Sequence, residues 1–162
     1  MSDNVYLGNP NLKKANTPIE FTEDQIREFL RCKDDPVYFS SNYVKIVSLD
    51  EGLVPFKPYD FQEKLIRRFH ENRFNICKMP RQTGKSTTCV SYLLHYAIFN
   101  DSVNIGILAN KAATARELLS RLQTAYENLP KWMQQGILVW NKGSLELENG
   151  SKILAASTSA SA

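Results

Sequence analysis

The chain predicts an α/β fold, a mostly parallel sheet flanked by helices. Three observations carry this. From residue 58 onward, helix-period segments alternate with short apolar runs of strand length. One such run, Phe74-Asn75-Ile76-Cys77-Lys78-Met79, leads through Pro80-Arg81-Gln82-Thr83-Gly84-Lys85-Ser86-Thr87 into a helical pattern. Asn149-Gly150, a strong hairpin signal, sits between two further strand-like runs.

The elements follow in order. Met1 to Thr17 is polar, with Gly8 and Pro10, and reads as an arm. Thr22 followed by Gln25 is a capping-box pattern, with Phe21 as its staple. It opens a helix from about Glu23 to Cys32 that turns Ile26, Phe29 and Leu30 inward. Asp34-Asp35-Pro36 breaks that helix. Val37–Tyr43 reads as a short helix or an irregular aromatic segment, Tyr43–Leu49 as a weak strand, and Gly52–Pro58 as a linker-like turn. Pro58 opens the next helix at its favoured first position, with Phe61, Leu65, Ile66 and Phe69 on one face. Phe74–Met79 is the expected first core strand. Val90, Leu93, Leu94, Ala97 and Ile98 recur with helical period after the loop, and Asn100-Asp101 ends that helix. Val103–Ala109 is a second strand. Ala115, Leu118, Leu119, Leu122, Tyr126 and Leu129 line a long helix stopped by Pro130. Ile137–Trp140, Leu145–Glu148 and Lys152–Ala156 are the remaining strands.

Strand, tight loop, Gly-Lys-Ser and helix is the layout of a phosphate-binding loop, and it predicts the P-loop NTPase fold of RecA/helicase-like type. Loop and helix-start N–H groups face an anion, and the helix dipole adds roughly half a positive charge there. Gly84 lets the backbone approach the phosphates, Lys85 reaches the β- and γ-phosphates, and the Ser86 hydroxyl is a ligand for Mg²⁺. ATP and Mg²⁺ are the expected cofactors. Met79 stands where the usual pattern carries its first Gly, so the loop is a variant form.

Composition sets bounds. The 162 residues suffice for a real core, and 43% hydrophobic with 23% charged residues fits a globular protein. A net charge of +3 permits a nucleic-acid partner without arguing for one. Cys32, Cys77 and Cys89 form no CxxC pair and read as reduced thiols, the latter two in buried elements. No signal peptide is legible, and Cys89–Phe99 is too short to span a bilayer, so no membrane partner is expected. Asn149-Gly150-Ser151 reads as a turn rather than a glycosylation site. His70 and His95 have no partners at metal-ligand spacing, and Trp132 and Trp140 read as packing residues. Lys64, Arg67 and Arg68 share a helix face, either solvated or DNA-facing. Val44-Lys45-Ile46-Val47-Ser48-Leu49-Asp50-Glu51 imitates the acidic strand of an ATPase but precedes the loop. A surface turn after an edge strand is the preferred reading.

Several segments together resemble a known family. They are Gly8-Asn9-Pro10-Asn11-Leu12-Lys13-Lys14-Ala15-Asn16, Arg31-Cys32-Lys33-Asp34-Asp35-Pro36-Val37-Tyr38-Phe39, Tyr59-Asp60-Phe61-Gln62, Arg81-Gln82-Thr83-Gly84-Lys85-Ser86, Gly106-Ile107-Leu108-Ala109-Asn110-Lys111 and the run from Trp140 to Ser151. The chain is similar over almost its whole length to the large terminase subunit of T-even-type tailed bacteriophages, the ATPase that drives DNA into the procapsid. The resemblance implies that Gln62 contacts adenine, that Arg81 reaches the γ-phosphate as a finger supplied in cis, and that Thr87 supports the loop or the phosphates. With Gln82, Thr83, Gly84, Lys85 and Ser86 these are the expected site residues.

It also implies the partners: double-stranded DNA, the portal protein, the small terminase subunit and the remaining C-terminal part of the same ATPase, which in the family carries the acidic strand, a catalytic Glu and a nuclease domain. The place of action would be the host bacterial cytoplasm, transiently at the procapsid portal. Residues 1–55 are then an N-terminal arm and helical subdomain, and 56–162 the N-terminal part of the ATPase domain, ending before the acidic (Walker B) strand. Two other functions fit the loop. One is a helicase-type DNA translocase, against which Arg81 and the Trp140–Ser151 hairpin argue. The other is a non-catalytic nucleotide-binding or assembly module, which the lack of a downstream acidic strand favours for this polypeptide alone.

Overall fold

The computed structural model describes residues 4–48 and 50–158. The first three residues of the expected arm, Leu49, and the small-residue run from Ser159 lie outside them.

The N-terminal segment is a docked hairpin rather than a loose arm. β1 (Val5–Tyr6) and β2 (Asn9–Lys13) pair antiparallel, and Lys14 bridges in parallel to Ile137. Leu12 is buried in the core. The Lys13 N–H donates to Gln134 Oε1 at 3.0 Å, while Gln134 Nε2 donates to the Asn11 carbonyl at 2.9 Å. These partners stand some 120 residues away, so local composition carries no trace of them.

α1 (Glu23–Asp34) begins with the expected capping box. The Gln25 N–H donates to Thr22 Oγ1, and the Thr22 N–H to Gln25 Oε1. Its inward face is only partly the one expected: Phe29 packs on the core against Phe99, but its two neighbours on that face do not. Ile26 and Leu30 are 48% and 51% exposed, whereas Cys32 is fully buried. The helix packs on α2 (Pro36–Tyr43), and Ile26 and Leu30 are left along an open groove of about 410 Å³ with Phe21, Phe29 and Trp132. Asp35 both terminates α1 and caps α2, accepting the Val37 and Tyr38 N–H groups.

β3 (Lys45–Ser48) and β4 (Gly52–Pro55) form a two-stranded hairpin, so the first half of the expected linker is a strand. Asp50 and Glu51 are exposed in its turn, as the surface-turn reading required. α3 (Asp60–Glu71) starts two residues after Pro58, with Tyr59 as its cap. Pro58 therefore precedes the helix and does not occupy its first position.

α4 (Lys85–Phe99), β5 (Asn104–Ala109), α5 (Ala112–Glu127), β6 (Ile137–Trp140), β7 (Ser144–Leu147) and β8 (Lys152–Ser157) complete the chain. The main sheet runs β5-β8-β7-β6, parallel between β5 and β8 and antiparallel elsewhere. It is a mixed sheet rather than a mostly parallel one, because the Asn149-Gly150 turn forces β7 and β8 antiparallel. Its inner face (Ile105, Ile107, Leu145, Leu147, Ile153) is buried under α5, and α5 packs in turn on α4. Asn149 does more than turn the chain. Its Nδ2 donates to the Ala97 and Asn100 carbonyls and so closes the C-terminal end of α4. Among the described residues no helix is long and apolar enough to cross a membrane.

The expected first core strand is absent as a strand. Residues 74–79 pair with no other strand among the described residues, and Phe74 and Ile76 are 83% and 100% exposed. Cys77, expected in a buried element, is exposed with them, while Cys89 is half-buried. A strand is a pairing property, and apolar composition alone cannot supply the neighbour. Among the described residues no strand covers the outer edge of β5, and an open cleft of about 660 Å³ lies between its first residues, Asn104 and Ile105, and Asn75.

Candidate functional site

The loop is built from four consecutive devices. Residues 81–82 form a turn in which Gln82 adopts φ 61°, and Gly84 adopts φ 73° as the N-cap of α4. Two left-handed residues in so short a stretch curl the backbone around a concave face. Pro80 is the hub: its carbonyl accepts from Thr83 Oγ1 at 3.0 Å and from Lys85 Nζ. The ammonium also donates to the Met79 carbonyl at 2.9 Å. Thr88, fully buried, donates its hydroxyl to the Gly84 carbonyl at 2.9 Å, and its N–H to the same oxygen. This ties the loop's end to the first turn of α4.

The donor set fits an anion. Helix geometry leaves the N–H groups of Lys85, Ser86 and Thr87 without intrahelical acceptors, at the positive end of a 15-residue helix. The Lys85 ammonium rests on two loop carbonyls, which a phosphate would compete for. Ser86 is exposed, and its hydroxyl has no hydrogen-bond partner among the described residues, which leaves its oxygen open to a ligand. Thr87 is half-buried beside it. Arg81 and Gln82 are exposed, and among the described residues Arg81 forms no ion pair or hydrogen bond. Gly84, Lys85, Ser86 and Thr87 could together hold an anion such as a phosphate.

Gln62, expected to contact adenine, lies against the loop itself. It is 4% exposed, at the third position of α3. Its Oε1 accepts the Tyr59 N–H at 2.9 Å, and its Nε2 donates to the Thr83 carbonyl at 3.3 Å. Both ends of the amide are thus engaged inside the chain, one of them by the loop itself. The loop contact was not legible in sequence, since Gln62 and Thr83 are 21 residues apart and Gln in a first helical turn is commonplace.

The other candidates are dispersed. Arg67 lies 3.7 Å from Asp35, with Lys64 and Arg68 exposed beside it. His95 is buried, its Nε2 hydrogen-bonded at 2.8 Å to the Cys32 carbonyl. Burial pushes its pKa down to about 4, so the ring is neutral at pH 7. Tyr126 packs on Trp140. No carboxylate makes an ion pair or hydrogen bond with residues 81–87 among the described residues.

The chain can now be set beside known proteins. The crystal structure of the HK97 bacteriophage large terminase superposes with a TM-score of 0.64 at 17% identity, over 80% of this chain. At that identity the likeness shows the α/β fold. The chain spans 28% of the HK97 protein's length. The model of one protein family, described as "Terminase large subunit, T4likevirus-type, N-terminal", matches residues 76–162. That match covers more than half of the chain and takes in the phosphate loop, α4, α5 and the whole main sheet. The chain belongs to the T4-like large terminase family, of which it carries the N-terminal region.

Proposed function

We propose that this chain is the nucleotide-binding part of a phage DNA-packaging motor, with Mg²⁺ and ATP held at Gln82–Thr87. Lys85 and the N–H groups at the start of α4 take the phosphates, and Ser86 takes the metal. Bound there, ATP would supply the phosphoryl-transfer energy that the motor spends on moving double-stranded DNA into the procapsid. The observation that carries the reading is the loop geometry: two left-handed residues, a lysine folded over the loop, and an open helix N-terminus follow one another within six residues.

Arg81 is proposed to act on the γ-phosphate. Its support is its place in the loop, exposed and free of other partners among the described residues. Gln62, which the family resemblance assigns to adenine, makes one contact at each end of its amide within the chain, so a base would be offered the second hydrogen of Nε2 and the second lone pair of Oε1. The acid on the metal side and the residue that orients the attacking water would come from further residues of the terminase, since Asp50 and Glu51 lie in the turn of a separate two-stranded hairpin. This chain's own share is then binding rather than turnover. The portal protein and the small terminase subunit are its proposed partners, and the host cytoplasm, transiently at the procapsid portal, is its proposed place of action.

Titrating a fluorescent ATP analogue with Mg²⁺ into the wild-type chain and Lys85→Ala tests the site. The variant should bind at least tenfold more weakly. Equal affinities would remove the assignment.

A further inference from the structure

The side chain of Gln62 is the physical link between α3 and the phosphate loop. Its amide nitrogen donates to the Thr83 carbonyl, and its amide oxygen accepts the N–H at the start of α3. The contact with the next residue is just as close: a Cβ built on Gly84 would stand 2.4 Å from Gln62 Nε2. The amide therefore fills the space directly beneath the left-handed bend, and Gly84 is needed there for clearance as well as for its φ. The strut stands on firm ground, because Ile66, one turn along α3, is fully buried and α3 packs on α4.

Peptide geometry gives this link a consequence. In a trans peptide the C=O and the N–H point in opposite directions. Holding the Thr83 oxygen on Gln62 therefore aims the Gly84 N–H away from Gln62. It also opposes rotation of the one peptide that joins the turn at 81–82 to α4. We infer that Gln62 is a positioning residue for phosphate binding, acting through the Thr83–Gly84 peptide whatever base the ligand carries. The inference rests on the phosphate-site reading. It differs from a base-reading role in one measurable respect: a base reader has no effect on a ligand without a base.

The test uses inorganic tripolyphosphate with Mg²⁺ beside a non-hydrolysable ATP analogue. Affinities are measured by calorimetry for wild type, Gln62→Ala and Lys85→Ala. Losing the amide should weaken both ligands by a similar factor, about tenfold, the scale of one buried hydrogen bond. Hydrogen exchange without ligand should quicken at residues 80–87 and stay unchanged in the buried half of α4. That local signature separates positioning from general loosening of the fold. If Gln62→Ala does not fold, Gln62→Met fills the same volume without either hydrogen bond and answers the same question. Weaker ATP binding with tripolyphosphate binding intact would overturn the inference in favour of base reading. So would wild-type affinity for both ligands, or a wild-type chain that binds the analogue but not tripolyphosphate. If Lys85→Ala also binds tripolyphosphate like wild type, the phosphate site itself is misplaced, and the inference falls with it.

Discussion

Two ends of this molecule are finished to different degrees. Around Glu148 the chain closes on itself. The carboxylate accepts from Lys13 Nζ at 2.8 Å, from the Asn16 N–H at 2.8 Å and from the Gly136 N–H at 2.6 Å, joining the N-terminal hairpin to the start of β6 and the end of β7. Around the loop at residues 80–87 the chain stays open: among the described residues, 74–79 pair with no strand, β5 has no second strand on its outer edge, and a cleft lies between them. The closed end is held by polar groups that satisfy one another across more than a hundred residues. The open end holds the proposed phosphate-binding residues, and its loop is braced by Gln62, Thr88 and the Pro80 carbonyl, with no paired strand leading into it among the described residues. The contrast is thus local, set by a few hydrogen bonds at each end.

The largest expected effect comes from Gly136→Ala. A Cβ there would lie 2.5 Å from both the Ala15 Cα and Glu148 Oε2, and the first of these is backbone that cannot swing aside. Chemical denaturation should show a loss of about 3 kcal/mol, at the upper end of overpacking costs. An unchanged midpoint would mean the closed end is looser than described.

Glu148→Gln should cost less, about 1–3 kcal/mol, mainly because Lys13 keeps its buried charge without a partner. Burial by itself raises the Glu148 pKa. Hydrogen bonds from Lys13, Gly136 and Asn16, with the charge of Lys13, outweigh it and hold the carboxyl below its usual range. A carboxyl lowered on folding stabilises the protein above its unfolded pKa and loses that contribution as pH falls through the folded value. Wild-type stability should therefore decline below about pH 4 more steeply than that of Glu148→Gln. Parallel acid limbs would contradict the network.

The smallest effect belongs to the open end. Ile76→Ser removes a fully exposed side chain, so stability should change by less than about 0.5 kcal/mol. A loss of 2 kcal/mol would show that residues 74–79 are packed after all.

The same contrast explains what the sequence disclosed. Gly84-Lys85-Ser86, the helical period of α4 and the Asn149-Gly150 hairpin are local signals, and each stands where it was expected. Phe74–Met79 has strand composition, but among the described residues no strand pairs with it, and composition alone supplies no partner. Leu12, Lys13 and Gln134 lie in polar stretches whose burial depends on one another, so the arm looked loose. Ile26 and Leu30 obey the helical period and still face an open groove, because periodicity marks an apolar stripe without saying what covers it. At the candidate site, the loop, the left-handed Gly84 and the helix that opens at Lys85 are where the Gly-Lys-Ser spacing put a loop and a helix start. The hold of Gln62 on Thr83 needed three-dimensional placement.

We propose that this chain carries a phosphate-binding part of a terminase ATPase, with turnover depending on residues of the rest of that ATPase. Steady-state phosphate release measures it most directly, using the purified chain alone and mixed with a polypeptide bearing the remaining ATPase region of the same terminase. The account predicts negligible release by the chain alone, and release in the mixture that disappears in Lys85→Ala. Robust, Lys85-dependent release by the chain alone would contradict it, and would return Asp50 and Glu51 to consideration as the missing carboxylates.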